Sequence, residues 1–263
     1  LMARVCPLFS GSSGNCTYIG TPEGGILIDA GVSAKRIETA CWDRGIGMDS
    51  IRGIFVTHEH SDHTAGLRVL QKRFGIPVFA SPGTRAGLIG GGALPEDADC
   101  RAMEEAVELA GMMVRSFRTP HDSRESTGYR VSTGDGRTLA VATDMGHMTE
   151  EVRTALWGCD LVMIESNHDI RMLENGPYPY VLKRRILAST GHLSNDACSL
   201  ELPELIRRGA TRLFLAHLSK DNNSPELAYL TAQSALTEAG MREDMDFVLR
   251  VAPRTDLEPV MVF

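Results

Sequence analysis

A cluster of metal-binding residue types follows a buried strand near position 58, and it constrains the fold more than any other feature of the chain. The apolar residues 53–56 form a strand pattern that runs into the letters T-H-E-H-S-D-H at 57–63. Apolar residues at helical spacing then occupy 64–74. Three imidazoles and one aspartate in so short a loop are costly to desolvate together unless a transition metal takes up their lone pairs and charge. The sequence therefore predicts an α/β scaffold that carries a metal site on a strand-to-helix loop.

The spacing within this loop divides the four side chains into two sets. His58 and His60 are two positions apart at the end of a strand and can point the same way, whereas Asp62 and His63 face another position as the helix begins. A single ion could hardly use all four side chains. The alternative is a histidine-rich loop that makes only surface hydrogen bonds, and we rank it below metal binding.

The pattern H-x-H-x-D-H resembles the signature of the metallo-β-lactamase fold superfamily. The resemblance implies an α/β fold, the αββα sandwich, in which two mixed β-sheets pack face to face with helices outside. The order of strand and helix patterns is compatible with one domain of this kind over residues 1–263. The family completes its site with a histidine, an aspartate and a last histidine, each after a strand. Here His121, Asp144 and His217 follow such strand patterns.

The resemblance also implies how the ligands are shared between two divalent transition-metal ions. One ion would be held by His58, His60 and His121, the other by Asp62, His63 and His217, with Asp144 between them. Zn²⁺ is favoured by the nitrogen-rich ligand set, while the aspartate in the second set would admit Mn²⁺. Asp62 is predicted to be catalytic as well, because it would orient the attacking water.

Segments outside the ligand set bear on the substrate, since this fold serves lactams, thioesters, lactones, persulfides and phosphodiesters. The letters T-G-H-L-S-N at 190–195 resemble a segment of the tRNA-processing and cyclic-phosphodiesterase members, whose histidine approaches the scissile phosphate. His192 is therefore predicted to be catalytic and to assist the leaving group. Ser194 is predicted to bind substrate, and helix capping is its alternative role.

Longer segments resemble the WalJ/YycJ (VicX) group, from about residue 10 to residue 226. They are 10–16, 29–31, 165–169, 178–186 and 217–226. Members of that group look like bacterial cytoplasmic nucleases with 5′-to-3′ DNA exonuclease activity, so the resemblance implies a DNA substrate and a cytoplasmic location. The alternatives are a small-molecule or cyclic phosphodiesterase, another ester hydrolase of this fold and, less favoured, a non-catalytic metal-stabilised binding module.

Charge gives weaker support for a phosphate substrate. The formal net charge of −7 argues against a broad basic surface for nucleic acid. The compact basic cluster at 183–185 nevertheless supplies Lys183 and Arg184 as predicted phosphate contacts, and a solvated helix face paired with nearby acids is its equally compatible interpretation. The other predicted substrate contacts are Ser12, Ser13, Asn15 and His168, although the loop that carries the two serines could be a plain turn. His147 is predicted to lie on the surface.

Cysteine usage and hydropathy exclude other classes of protein. The six cysteines are scattered without a C-x-x-C pair, which argues against a zinc ribbon or a disulfide framework and favours a reducing cytoplasm. No apolar run approaches the roughly 20 residues that cross a bilayer, so no membrane association is expected. The hydrophobic fraction of 43% is enough for a substantial core.

Strand and helix patterns alternate along the chain. The predicted strands are 25–29, 53–57, 77–80, 112–118, 128–132, 138–143, 161–166, 213–216 and 247–251. The predicted helices are 33–44, 64–74, 149–156, 195–208 and 225–239. The glycine-rich stretch 83–92 is predicted to be a flexible loop.

Overall fold

The computed structural model describes residues 3–254 and 261–263. Its strands are β1 (Arg4–Phe9), β2 (Cys16–Thr21), β3 (Gly24–Ile28), β4 (Ile51–Val56), β5 (Val78–Ala80), β6 (Cys100–Ala102), β7 (Val107–Leu109), β8 (Met112–Arg118), β9 (Thr127–Thr133), β10 (Thr138–Ala142), β11 (Leu161–Glu165), β12 (Arg212–Ala216), β13 (Val248–Val251) and β14 (Met261–Val262). Its helices are α1 (Ala34–Trp42), α2 (Ser61–Thr64), α3 (Leu67–Phe74), α4 (Pro82–Gly90), α5 (Glu150–Leu156), α6 (Ile170–Asn175), α7 (Tyr180–Ile186), α8 (Asn195–Arg207) and α9 (Pro225–Glu238), with a 3₁₀ turn at Met48–Ser50.

The strands form two seven-stranded mixed sheets of similar construction. In the first sheet the order is β14-β1-β2-β3-β4-β5-β6. Pairing in this sheet is antiparallel from β14 to β3 and parallel from β3 to β6. In the second sheet the order is β13-β12-β11-β10-β9-β8-β7. Pairing there is parallel from β13 to β10 and antiparallel from β10 to β7. Because parallel strands end at the same edge of a sheet, the loops that follow β4, β10, β11 and β12 can share one site.

Apolar side chains fill the space between the sheets and the space under the helices. Between the sheets, Phe55 stacks on Phe79 with ring centroids 4.8 Å apart, and Tyr129 meets Phe55 edge-on at 5.6 Å. Helices α1, α3 and α4 pack on the first sheet, and α5, α8 and α9 pack on the second. This arrangement confirms the predicted αββα sandwich.

The glycine-rich stretch 83–92 is mostly helical, so the prediction of a flexible loop is wrong. Ser81 caps helix α4, because its Oγ accepts a hydrogen bond from the backbone N–H of Thr84 at 3.2 Å. Pro82 occupies the first turn, where its fixed φ suits a helix and its missing N–H costs nothing. Leu88 is fully buried against the first sheet. The cap, the proline and this burial together outweigh the low helix propensity of glycine.

The six cysteines are buried and form no disulfide bonds, in agreement with the prediction that they form no disulfide framework. Among residues 3–254 and 261–263, no helix is both long enough and apolar enough to cross a membrane.

Candidate metal centre and active site

The seven predicted metal ligands converge where strands of the two sheets end. The loop after β4 and the short helix α2 carry four of them, and the residues just beyond β8, β10 and β12 supply one each: His58, His60, Asp62, His63, His121, Asp144 and His217. The donor atoms within each of the two predicted sets lie within 4.8 Å of one another, in one set those of His58, His60 and His121 and in the other those of Asp62, His63 and His217.

Asp144 lies between the two sets. Its Oδ2 is 3.3 Å from Nε2 of His63, and its Oδ1 is 3.5 Å from Nε2 of His217. On the side of the other set, Oδ1 is 3.8 Å from Nε2 of His121. The carboxylate can therefore reach both sets at once.

In three of these histidines, Nδ1 is held by a carboxylate or a backbone carbonyl of the protein. Nδ1 of His63 lies 2.8 Å from Oδ2 of Asp29, and Nδ1 of His217 lies 2.9 Å from Oε1 of Glu165. Nδ1 of His121 donates to a backbone carbonyl at 3.1 Å. Histidines that bind metals are usually held in this way, because the hydrogen bond sets the tautomer and aims the other nitrogen at the ion.

The protonation and pairing of the donors fit a transition-metal centre. Burial holds the pKa of His58 well below its usual range, and the neighbouring rings of His63 and His121 lower it further, so His58 offers a neutral lone pair. Nε2 of His121 and Oδ2 of Asp144 are buried without a well-formed hydrogen bond to any described residue. Buried polar atoms are normally satisfied, so these two atoms fit the role of ligands to an ion.

The surrounding carboxylates make the centre attractive to cations. Burial alone would lower the pKa of His217, but Asp144, Asp62 and Glu165 outweigh it and raise that pKa to about 10. Burial likewise would raise the pKa of Glu165, yet His192 and His217 keep it well below its usual range, and the carboxylate stays ionised. Protons on the histidines balance this negative charge, and bound metal ions would replace them.

Three residues at the site have left-handed backbone conformations that non-glycine residues seldom adopt. The φ angle is 62° at Asp29, 58° at Asp144 and 57° at His217. Asp29 and His217 directly follow strands β3 and β12, and Asp144 lies two residues beyond β10. Such conformations cost on the order of 1–3 kcal/mol each and cluster at functional sites. The strained turn directs each side chain toward the centre instead of along its strand.

His192 lies beside the cluster but makes a different contact. Its Nδ1 is 2.8 Å from Oε1 of Glu165, and its side chain is 21% exposed. Burial lowers the pKa of His192, but Glu165 and Asp144 together raise it above the usual value. The ring is therefore oriented and charged by Glu165 while one edge remains open to solvent.

Sequence reasoning missed the roles of Asp29 and Glu165. Both are acids at a strand end: Asp29 follows β3, and Glu165 is the last residue of β11. Asp144, which was predicted, likewise lies close to the end of β10. An acidic residue at the end of a predicted parallel strand was therefore the signal that could have identified Asp29 and Glu165.

The loop 10–14 forms a tight turn, and whether it contacts substrate stays a prediction. The N–H of Gly14 donates to the carbonyl of Gly11 at 3.0 Å, and Ser12 and Ser13 are exposed. Asn15 is buried, and its Nδ2 lies 3.1 Å from Nε2 of His63. The structure thus places Asn15 against His63, one of the predicted ligands, and leaves the two serines exposed.

Ser194 and His168 are largely covered. Ser194 caps helix α8, because its Oγ accepts from the N–H of Ala197 at 3.2 Å. His168 is 1% exposed, and neither of its ring nitrogens has a hydrogen-bond partner among the described residues. Whether either residue contacts substrate stays a prediction.

The basic cluster lies on helix α7, at its exposed face. Nζ of Lys183 donates to the carbonyl of Glu174 at 2.7 Å, and the guanidinium carbon of Arg184 lies 5.9 Å from the ring centroid of Tyr180.

His147 is exposed, which confirms its predicted surface position.

Comparisons with known proteins agree with this fold and these segments. The model of the beta-lactamase superfamily domain matches residues 25–218. Exodeoxyribonuclease YycJ of Bacillus anthracis is 38% identical over 237 residues, which cover 89% of each chain. Exodeoxyribonuclease WalJ of Streptococcus pneumoniae is 31% identical over 91% of this chain and 90% of its own length. The metallo-beta-lactamase fold protein YhfI from Bacillus subtilis superimposes with a TM-score of 0.70 over 97% of this chain and 98% of its own at 14% identity, a likeness of fold alone. The chain therefore belongs to the beta-lactamase superfamily and, within it, to the WalJ/YycJ group.

Proposed function

We propose that the protein is a cytoplasmic, metal-dependent exonuclease that removes nucleotides from the 5′ end of DNA. The observation that carries this proposal is the 38% identity, over 89% of both chains, with a protein named as an exodeoxyribonuclease. The convergence of seven donor side chains at the strand ends supports a hydrolytic centre. The 5′-to-3′ polarity and the cytoplasmic location rest on the resemblance to the WalJ/YycJ group.

The donor set fits two divalent ions, Zn²⁺ or Mn²⁺. His58, His60 and His121 would hold one, and Asp62, His63 and His217 the other, with Asp144 shared. When bound, such a pair supplies a water-derived nucleophile at neutral pH and neutralises charge on the phosphate.

Asp62 is suited to orient the attacking water. Its Oδ2 lies 3.5 Å from Nε2 of both His63 and His217, so this carboxylate sits at the centre. Burial would raise its pKa, but the two histidines hold that pKa well below the usual range. The side chain is 24% exposed, which leaves it accessible as an ionised hydrogen-bond acceptor for water.

His192 is suited to act as the general acid. Glu165 accepts a hydrogen bond from Nδ1 and favours the imidazolium form, so Nε2 can also carry a proton. When the P–O bond to the leaving group breaks, that proton passes from Nε2 to the departing oxygen, and Glu165 keeps the ring in place. Glu165 acts through His192 and is a positioning residue.

The remaining proposed substrate contacts differ in exposure. Ser12, Ser13 and Arg184 are exposed and Lys183 is partly exposed, while His168 and Ser194 are buried. Reversing Lys183 and Arg184 to glutamate should impair cleavage of DNA much more than hydrolysis of bis(p-nitrophenyl) phosphate, because the small diester does not extend to helix α7. Equal loss of activity on both substrates would show that Lys183 and Arg184 do not contact the DNA.

The proposed function is tested by cleavage of end-labelled DNA by the metal-loaded protein. A 5′-label should appear first in mononucleotides, a 3′-label should appear in a ladder of progressively shorter fragments, and circular single strands should stay intact. Asp144→Ala protein, prepared identically, controls for contaminating nuclease. Cuts in the circle, or release of the 3′-label first, would refute the proposed polarity. Hydrolysis of the small diester without any cleavage of DNA would favour a small-molecule phosphodiesterase.

A further inference from the structure

A small cleft opens beside the proposed general acid. It has a volume of about 170 Å³, and His192 forms part of its wall. Other polar residues of the wall come from separate parts of the chain: Ser12, Asp122, Asn167, Tyr178, Arg185 and Ser219. A group bound in this cleft would therefore lie next to the reacting phosphodiester.

Arg185 is the member of the basic cluster that lines this cleft. Lys183 is engaged by the carbonyl of Glu174, Arg184 lies over the ring of Tyr180, and neither is part of the cleft wall. Successive residues of a helix point in directions about 100° apart, so only one of three consecutive basic residues can face the cleft fully. The sequence analysis placed all three residues in one basic cluster and named Lys183 and Arg184 as its phosphate contacts, which stay predictions.

Asp122 holds the guanidinium of Arg185 in place. Nε of Arg185 donates to Oδ2 of Asp122 at 2.5 Å, and Nη2 donates to Oδ1 at 3.2 Å. An arginine has five N–H groups, so three remain for a ligand. Asp122 is itself fixed, because its backbone N–H donates to the carbonyl of Thr190 at 3.0 Å. The ion pair presents an ordered cation, since a fixed guanidinium loses less side-chain entropy on binding an anion.

Arg185 and His192 are parts of the same rigid wall. The backbone N–H of His192 donates to the carbonyl of Ile186 at 2.9 Å, directly after Arg185. Gly191 packs so tightly on helix α7 that an added Cβ would lie 2.4 Å from the carbonyl oxygen of Arg185. The distance between the cation and the proposed general acid is therefore fixed by backbone contacts.

We infer that Arg185, held by Asp122, binds a second phosphate group of the DNA strand, adjacent to the phosphodiester that is cleaved. This inference rests on the proposed function. Guanidinium groups bind phosphate through paired, charge-assisted hydrogen bonds, and the hydroxyls of Ser12 and Ser219 add polar groups to the same cleft. The second phosphate is either the terminal 5′-phosphate or the next linkage along the strand, which share this chemistry. Its binding sets the register of the strand relative to His192.

A double-mutant cycle between protein and substrate tests this contact. Wild-type and Arg185→Gln proteins act on three single-stranded decamers: one with a 5′-phosphate, one with a 5′-hydroxyl, and one with a 5′-phosphate and a neutral methylphosphonate at the second linkage. With the unmodified decamer, Arg185→Gln should lower kcat/KM roughly 10- to 100-fold, the usual effect of losing a charge-assisted hydrogen bond. Wild-type protein should lose a similar factor on one of the two modified decamers, and that decamer identifies the phosphate. For Arg185→Gln, kcat/KM on that decamer should be only slightly lower than on the unmodified decamer. Arg185→Lys should recover part of the rate.

Arg207→Gln is the matched control, since it removes the same charge at the far end of helix α8, about 20 Å along the helix from Ser194. Binding of a fluorescent decamer to metal-free protein gives a second readout, in which Arg185→Gln should weaken binding and Arg207→Gln should not. An unchanged kcat/KM in Arg185→Gln would overturn the inference. So would a result in which, for both modified decamers, the loss caused by the substitution and the loss caused by the modified phosphate multiply. Either result leaves the proposed function standing. Wild-type protein that cleaves none of the decamers while hydrolysing bis(p-nitrophenyl) phosphate would overturn both.

Discussion

His192 and His217 share one carboxylate and yet face different partners. Both Nδ1 atoms lie within 2.9 Å of Oε1 of Glu165. Nε2 of His217 then meets Asp62 and Asp144, each at 3.5 Å, whereas the ring of His192 is partly exposed and lines the cleft. One ring is thus aimed at the proposed ions and the other at the substrate.

His192→Ala should accordingly keep the fold and the bound metal while slowing DNA hydrolysis by a factor on the order of 10²–10⁴, the range for losing a positioned acid-base group. Elemental analysis and single-turnover rates on the same sample measure both quantities. His217→Ala is the comparison, since it should lose metal as well as rate. Metal loss in step with activity in His192→Ala would make His192 a ligand and contradict its assignment.

His168 is predicted to make the protein sensitive to acid. Burial lowers its pKa to about 4 from the usual value of about 6.5, so between these pH values the unfolded chain binds the proton and the folded protein does not. The stabilisation is complete above the unfolded pKa and is lost as the pH falls toward the folded pKa. Between pH 7.5 and pH 5 this group alone should lower the free energy of unfolding by about 2 kcal/mol.

Urea titrations of metal-free protein at these two pH values measure that effect. His168→Asn should have a smaller fall in the free energy of unfolding than wild type. An identical pH dependence in wild type and His168→Asn would show that the ring is not held neutral.

At the scale of elements, long strands with apolar runs could be predicted and interrupted ones could not. Strands β8 and β10 were placed within one residue of their observed ends. Strand β10 has an unbroken apolar run, and the longer β8 has buried apolar residues near both of its ends. Strands β1 and β2 were both missed. Pro7 breaks the pattern of β1, and the pairing of the two strands shifts register between Pro7 and Phe9. Strands β6 and β7 have only three residues each and depend on their neighbours in the sheet. Helices α6 and α7 are short and expose much of their surface, so they carry little periodic signal.

Gly191 packs against the end of helix α7 and directly precedes His192. An alanine at this position should therefore disturb both the helix and His192. An added Cβ would lie 2.1 Å from the carbonyl oxygen of Ile186, so the backbone that carries His192 would have to move. We expect Gly191→Ala to lower the midpoint of thermal unfolding and to reduce DNA hydrolysis at least 10-fold, since small displacements of reacting groups are costly. Gly90→Ala is the matched control, because no atom lies within 4 Å of a Cβ at that position. Full activity in Gly191→Ala would contradict the coupling of α7 to His192.

At the scale of the whole molecule, the site exists only because two sheets bring distant strand ends together. Asp62 and His217 are 155 positions apart in sequence, and they belong to loops of different sheets. The sequence alone indicated which residue types follow strands, and the family resemblance supplied their grouping. The order of strands within each sheet, and hence the positions of Asp29 and Glu165 behind the histidines, depends on tertiary packing that no local pattern encodes.

The metal content of folded protein tests most directly the central claim, that these loops form a two-ion hydrolytic centre. Protein stripped with chelator, reloaded with Zn²⁺ or Mn²⁺ and freed of excess ion should contain close to two ions per chain, because seven donors in two sets exceed what one tetrahedral ion can use. Asp144→Ala should lose ions from both sets, and His217→Ala should retain close to one. A folded, fully reloaded wild-type protein that never exceeds one ion per chain would contradict the account.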